Sequence, residues 1–299
     1  MAKEERMGIL VDLRPYQRFE QLTQGKVAYY EAGRGKPTLL LLHGMGLQTS
    51  SYTFQWIFKP LAKRHHVIAM DYLGFGDSDR VLKNGPTFDV IVDGIREFMD
   101  RQKIRKPVVI GHSAGGWFGG MLAYESPDRV GALIGIGSAG MNVATSAGVM
   151  AFAPTTPESA RRSVNASIYG GSQMTPPGAD EWGQALYRMG SKPGAYEGMK
   201  PLVEQMQNPD KRKSYLLQRR LPYITVPNMW VFGEVESMEP YPTWTREWGK
   251  IKGNPRKSSL PFVTPKGKYV MVKGATHNVQ WEQPERIVKI IEDFVVKLP

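Results

Sequence analysis

A serine lies in the stretch Val108-Val109-Ile110-Gly111-His112-Ser113-Ala114-Gly115-Gly116, where an apolar run leads straight into G-x-S-x-G. That order reads as a buried strand reversing sharply into a helix. At such a reversal the serine hydroxyl stands above the sheet edge, and glycines flank it because a Cβ would strike the neighbouring strand or helix. The chemistry that suits it is nucleophilic attack on a carbonyl, with the N–H of Ala114 at the helix start holding part of the oxyanion charge. A second donor is expected from Met45, just after the His-Gly turn of Leu39-Leu40-Leu41-Leu42-His43-Gly44-Met45-Gly46. His43 then reads as a hydrogen-bonding support for that turn.

A serine nucleophile needs a base. Of the five histidines, His43, His65, His66 and His112 precede Ser113, which leaves His277 as the downstream candidate. It sits in Gly274-Ala275-Thr276-His277, after the apolar Tyr269-Val270-Met271-Val272, on a loop at the C-terminal end of an expected strand. The carboxylate that would orient it has three candidates. Glu234, Glu236 and Glu239 all follow the strand Asn228-Met229-Trp230-Val231-Phe232, whereas residues 137–142, after the preceding strand, hold no carboxylate. Asp71-Tyr72-Leu73-Gly74-Phe75-Gly76-Asp77-Ser78-Asp79 is turn chemistry. No Gly-Lys-Ser/Thr follows it and no glutamate completes a calcium loop, so no metal or phosphate site is expected.

Elements of two kinds must position these residues. From about residue 26 to 137, and again from 226 to the end, apolar strands alternate with helical segments, the pattern of a mostly parallel sheet covered on both faces. Between them the chain lacks β-branched apolar runs. Helices are expected over 157–168, 180–189, 196–207 and 212–220, punctuated by glycine and proline. This divides the chain into a first core part (1–140), a helical cap (141–221) and a second core part (222–299). Gly44, Trp117, Met141 and Trp182 are the residues expected to line a substrate cleft between cap and core.

Together, His43-Gly44, Asp71-x-x-Gly74-x-Gly76-x-Ser78, Gly111-x-Ser113-x-Gly115 and Gly274-x-x-His277 with Glu282-x-Pro284 resemble the landmarks of the α/β-hydrolase superfamily, in its capped branch. The resemblance spans nearly the whole chain. It implies the α/β-hydrolase fold, a mostly parallel central sheet with helices on both faces and a helical cap over Ser113. It also implies the triad order serine, acid, histidine. Glu236, three residues after Gly233, stands where that family most often has aspartate, so the expected triad is Ser113, Glu236 and His277, with Glu234 and Glu239 as alternatives. Epoxide hydrolases and haloalkane dehalogenases of the same family use an aspartate nucleophile, and the serine here sets this chain apart from them.

The expected activity is hydrolysis of a carboxylic ester or lactone of a small, partly apolar molecule through an acyl-enzyme, with no cofactor. The alternatives are C–C bond hydrolysis of a vinylogous diketone, amide or iminopeptide hydrolysis, and a non-catalytic small-molecule receptor. Against the C–C reading, that group commonly has tryptophan after the catalytic histidine, and here the residue is Asn278. Composition narrows the partners. With 299 residues and 41% hydrophobic content the chain can bury a large core, and zero cysteines exclude disulfides and thiolate chemistry. The net charge of +11 is spread over several segments without a nucleic-acid module, and reads as a solvated surface. Met1-Ala2-Lys3-Glu4-Glu5-Arg6 carries no apolar leader, and no run approaches the roughly 18 apolar residues of a membrane span. A soluble, cytoplasmic protein is expected, with a small-molecule substrate, no nucleic-acid or membrane partner, and a homodimer left open.

Overall fold

The computed structural model describes residues 10–80, 85–141, 152–166, 179–234 and 267–299. Eight strands form one sheet: β1 (Gln17–Leu22), β2 (Gly25–Ala32), β3 (Thr38–Leu42), β4 (His66–Met70), β5 (Val108–His112), β6 (Ala132–Ile136), β7 (Asn228–Gly233) and β8 (Gly267–Val272). Their order is β1-β2-β4-β3-β5-β6-β7-β8. The β1–β2 and β2–β4 pairs are antiparallel and all others parallel. Leu42 pairs with Met70 and Gly111, and His112 with Ile136, so the parallel strands end at one edge of the sheet. That edge is where open α/β sheets place their ligands.

The strand Gln17–Leu22 leaves little signal in the sequence, because four of its six residues are polar and only Leu22 is buried. An edge strand with one wet face carries little periodic signal. The central strands are the reverse case: every residue of β5, β6 and β7 is buried, which is why they read as continuous apolar runs.

Helices α1 (Gln55–Ala62), α2 (Phe88–Arg101), α3 (Ala114–Glu125), α8 (Val279–Glu282) and α9 (Pro284–Val295) flank this sheet. Alternation along β3 shows how the two faces are served. Leu40 and Leu42 join the core under α2 and α3, whereas Leu39 and Leu41 join the core under α1 and α9. In α2, Thr87 caps the first turn, and Phe88, Ile91, Val92, Ile95, Phe98 and Met99 form the buried stripe.

Between β6 and β7 lie α4 (Pro157–Ala166), α5 (Ala179–Gly190), α6 (Ala195–Gln207) and α7 (Pro209–Tyr215). A single helix over 212–220 does not form. Pro209 at the first helical position and the Asn208 side chain, which accepts from the N–H groups of Asp210 and Lys211, start α7 earlier. It stops where Leu216 and Leu217 turn inward; a Cβ on Gly120 of α3 would lie only 2.6 Å from Leu217 Cδ1. Burial of two leucines outweighs continuation of a charged, exposed turn.

Two further features fasten these helices to the sheet. Trp182 of α5, Trp56 of α1 and Trp281 of α8 pack edge to face, with ring centroids 5.4 to 6.3 Å apart. On the opposite end of α5, Lys192 pairs with Asp77, while Arg80 donates to the carbonyls of Gly76 (2.7 Å) and Met189 (3.3 Å).

Candidate active site

Ser113 has φ of +54° and ψ of −120°, outside the regions that L-residues ordinarily occupy. Holding a non-glycine residue there costs on the order of 1–3 kcal/mol and persists only where the surroundings over-determine it. They do so here. Ser113 N–H donates to Ile136 O (2.9 Å), and Ser113 O accepts from the N–H groups of Ala139 (2.9 Å) and Gly116 (3.1 Å). The flanking glycines are sterically required: a Cβ on Gly111 would stand 2.2 Å from Gly115 O, and one on Gly115 would stand 2.0 Å from Leu42 O. Ala114 opens α3, so its N–H is one of the helix's unsatisfied first-turn donors.

The His-Gly turn lies against this serine, since a Cβ on Gly44 would be 3.1 Å from Ser113 Cβ. Gly44 O accepts from His43 Nδ1 (2.7 Å) and from Thr49 Oγ1 (2.9 Å). A trans peptide points its N–H opposite to its carbonyl. Pulling the Gly44 carbonyl toward His43 and Thr49 therefore turns the Met45 N–H the other way. His43 itself is fully buried and neutral: Nδ1 donates, and Nε2 accepts from Tyr72 N–H at 3.4 Å. Burial pushes its pKa down to about 3.

That depression has a consequence for acid stability. The unfolded chain takes up the His43 proton near pH 6.5, whereas the folded one resists until about pH 3, so the contribution is intact above 6.5 and is lost as pH falls toward 3. Urea titrations across this window are expected to show a loss of about 1.4 kcal/mol per pH unit from this one group. A His43→Gln variant should be weaker at pH 7 yet show a shallower acid slope. An unchanged slope would refute the assignment. His112, also buried, is shifted in the same direction, first by desolvation and then by the neighbouring His277.

His277 is buried on the loop after β8, and its ring lies 4.9 Å from that of His112, whose Nε2 is 3.3 Å from His277 O. A Cβ on Gly137 would be 3.0 Å from His277 Nδ1. Gly137 belongs to the same 136–139 segment that hydrogen-bonds both sides of Ser113, so one segment contacts nucleophile and base candidates together. On the other side, a Cβ on Gly233 at the end of β7 would meet Thr276 O at 2.1 Å, which seats the loop directly on that strand end.

Two carboxylates brace the loop. Glu234 Oε2 accepts from Gly274 N–H (3.0 Å), so this member of the glutamate trio spends an oxygen on the backbone. Glu282 accepts both the N–H of Thr276 (2.6 Å) and its hydroxyl. In the sequence Glu282 is only a landmark; the six-residue spacing to Thr276 becomes meaningful once α8 folds it back. Glu282→Ala strands two buried donors, and thermal denaturation is expected to show a loss of about 1–3 kcal/mol, with Thr276→Ser mild by comparison. An unaltered midpoint for Glu282→Ala would remove the bracing role. Glu236 and Glu239 lie outside the described residues.

The residues expected to line the cleft separate. Gly44 abuts Ser113. Trp117, 2% exposed, gives its indole N–H to Tyr215 O (2.7 Å), packs on Phe88 and lies under the Arg212 guanidinium; it is a packing residue of the seam between α3 and α7. Met141 is likewise enclosed in the main core. Trp182 borders a different cavity, described below. Spacing marked these side chains as large and apolar but carried no information on which surface each would meet. Asp71 is fully buried and structural: it accepts from the N–H groups of Ser51 (2.7 Å) and Asp77 (2.9 Å), and burial pushes its pKa up. Among the described residues no group of three metal-ligating side chains converges, and no helix is long and apolar enough to cross a membrane.

A serine held at a strained strand-to-helix turn, at the C-terminal edge of an eight-stranded, mostly parallel sheet, defines a class, and the alpha/beta hydrolase fold profile matches residues 37–284. The chain belongs to that family. It is 24% identical over 291 residues to a 2-hydroxy-6-oxononadienedioate/2-hydroxy-6-oxononatrienedioate hydrolase from Paraburkholderia phymatum, covering 91% of this chain and 92% of that one. Solved structures agree on the fold. A meta-cleavage product hydrolase from Pseudomonas fluorescens superposes with a TM-score of 0.77 at 21% identity, covering 94% of this chain and 98% of that one. A carboxylesterase from Bacillus subtilis gives 0.73 at 21%, covering 93% and 90%. The chain spans only 28% of the length of a 1-acylglycerol-3-phosphate O-acyltransferase from Arabidopsis thaliana, to which it is 35% identical over 117 residues.

Proposed function

We propose that this hydrolase cleaves a C–C bond beside a ketone in a vinylogous diketone, with Ser113 as nucleophile, His277 as general base and Glu236 as the carboxylate that orients it. The observation that carries this reading is the strained Ser113 turn in a chain similar over nine-tenths of its length to a dienedioate hydrolase. Ser113 Oγ adds to the ketone carbon while His277 takes its proton, and the Met45 and Ala114 N–H groups hold the alkoxide. Collapse breaks the C–C bond. Its electron pair passes through the conjugated C=C bond into the second ketone, giving a dienolate that receives the proton back from the imidazolium. Water, deprotonated by His277, then hydrolyses the acyl group from Ser113 and releases a carboxylic acid. Ester or lactone hydrolysis is the second reading, favoured by Asn278 in the place where C–C hydrolases commonly carry tryptophan, and it uses the same residues in the same roles.

Purified protein offered 2-hydroxy-6-oxohepta-2,4-dienoate and 4-nitrophenyl butyrate separates the two. Loss of the dienolate absorbance with kcat/KM about a hundredfold or more above that for the ester is the expected result. The opposite ratio would replace the C–C reading with the ester reading.

A further inference from the structure

A cavity of about 520 Å³ opens between α5 and the body of the protein, and none of Ser113, His277, Met45 or Ala114 borders it. One wall is apolar: Val11 from the segment before β1, and Ala185, Leu186 and Met189 from α5, with Trp182 at its side. Trp182 packs edge to face on Trp56 and Trp281, which seats its ring at that side. The volume is that of an ordinary small-molecule site.

The other end of the cavity is charged, and its charges are not equally balanced. Arg14 is clamped by both oxygens of Asp12, each at 2.9 Å. Lys192 is paired with Asp77, whose carboxylate also accepts from Tyr30 Oη (3.0 Å) and Gln17 Nε2 (2.8 Å). Arg188 of α5 also borders the cavity, and among the described residues its exposed guanidinium has no ion-pair or hydrogen-bond partner. Two cations are thus neutralised in place while a third remains with its planar fork uncommitted, the geometry suited to a carboxylate or sulfonate.

We propose that this cavity is a second ligand site, distinct from the Ser113 centre, that binds an organic monoanion with an apolar body. The apolar part lies along Leu186, Met189 and the Trp182 ring, and the anionic group pairs with Arg188. The site does not depend on the catalytic reading. Gln48, Ser50 and Tyr52 of its lining follow, in the chain, the turn that carries Met45.

The probe is 1-anilinonaphthalene-8-sulfonate, an aromatic monoanion, followed by its fluorescence on excitation of tryptophan in the intact protein. One saturable equivalent per chain is expected. Ala185→Trp, which fills the cavity, should abolish it, and Arg188→Glu, an exposed change that leaves folding alone, should weaken it about tenfold or more. The uncharged N-phenyl-1-naphthylamine should bind about tenfold or more weaker than the sulfonate. Phosphonylation of Ser113 by a fluorophosphonate, verified by intact mass, should leave probe binding in place. Binding that is insensitive to both variants, or that vanishes on phosphonylation of Ser113, would overturn the proposal. Failure of the adduct to form would count against Ser113 as nucleophile, while the two variants would still decide the cavity.

Discussion

Ser113→Ala is expected to lower kcat by about 10⁴-fold or more on whichever substrate the protein turns over, with circular dichroism and the thermal midpoint close to those of the parent. The residue is partly exposed and its hydroxyl makes no structural hydrogen bond among the described residues, so the loss falls on chemistry and not on folding. Alanine also relieves no strain, because the φ of +54° is imposed by the neighbouring backbone. His277→Ala should cost nearly as much, and the double variant little more than either single one, because nucleophile and base act as a unit. Retention of more than about a tenth of parental kcat by Ser113→Ala would exclude the covalent route.

The second large effect concerns the acid. Glu236→Gln is expected to reduce kcat about a hundredfold or more, since an amide neither stabilises an imidazolium nor fixes the required tautomer. Glu234→Gln should be mild, and the structure supplies the reason: the Glu234 carboxylate accepts from Gly274 N–H, and a glutamine oxygen can do the same. Glu239→Gln should also be mild. Near-normal kcat for Glu236→Gln combined with a large loss at Glu234 or Glu239 would move the acid to that residue and leave Ser113 and His277 in their roles.

The pH dependence adds a separate check on the turn that carries Met45. His43 is neutral because it is buried, not because it lacks partners, and both ring nitrogens are engaged in holding the turn. Its protonation at low pH would break the contact from Tyr72 N–H, so acid should loosen the turn before the sheet as a whole gives way.

Much of this protein is legible in the order of its residues. The apolar runs of β3 to β8 and the glycine-serine-glycine turn are local features, and local features survive in a sequence. Five histidines with one beyond Ser113 left a single base candidate, a deduction that needs no coordinates. The polar edge strand β1 and the early end of α7 were not legible, because each is decided by a neighbour distant in the chain. For β1 it is the β2 ladder, and for α7 the pocket that α3 offers to Leu217. The fates of Trp117, Met141 and Trp182 belong to the same class. All three are large apolar residues at cap positions or near the nucleophile, yet one packs a seam, one fills the main core and one walls a separate cavity. Periodicity reports that a side chain leaves water, and only packing decides what it meets. In the same way the sequence by itself pointed to Ser113 in a strained turn, because an apolar strand run precedes the glycine-serine-glycine pattern and a helix start follows it. The tertiary structure alone decided that His43 and Thr49 would hold the Gly44 carbonyl and so turn the Met45 N–H, and that Glu234 and Glu282 would brace the His277 loop, because all of these hydrogen bonds but the one from His43 join residues five to forty apart, which meet only once the chain has closed on itself.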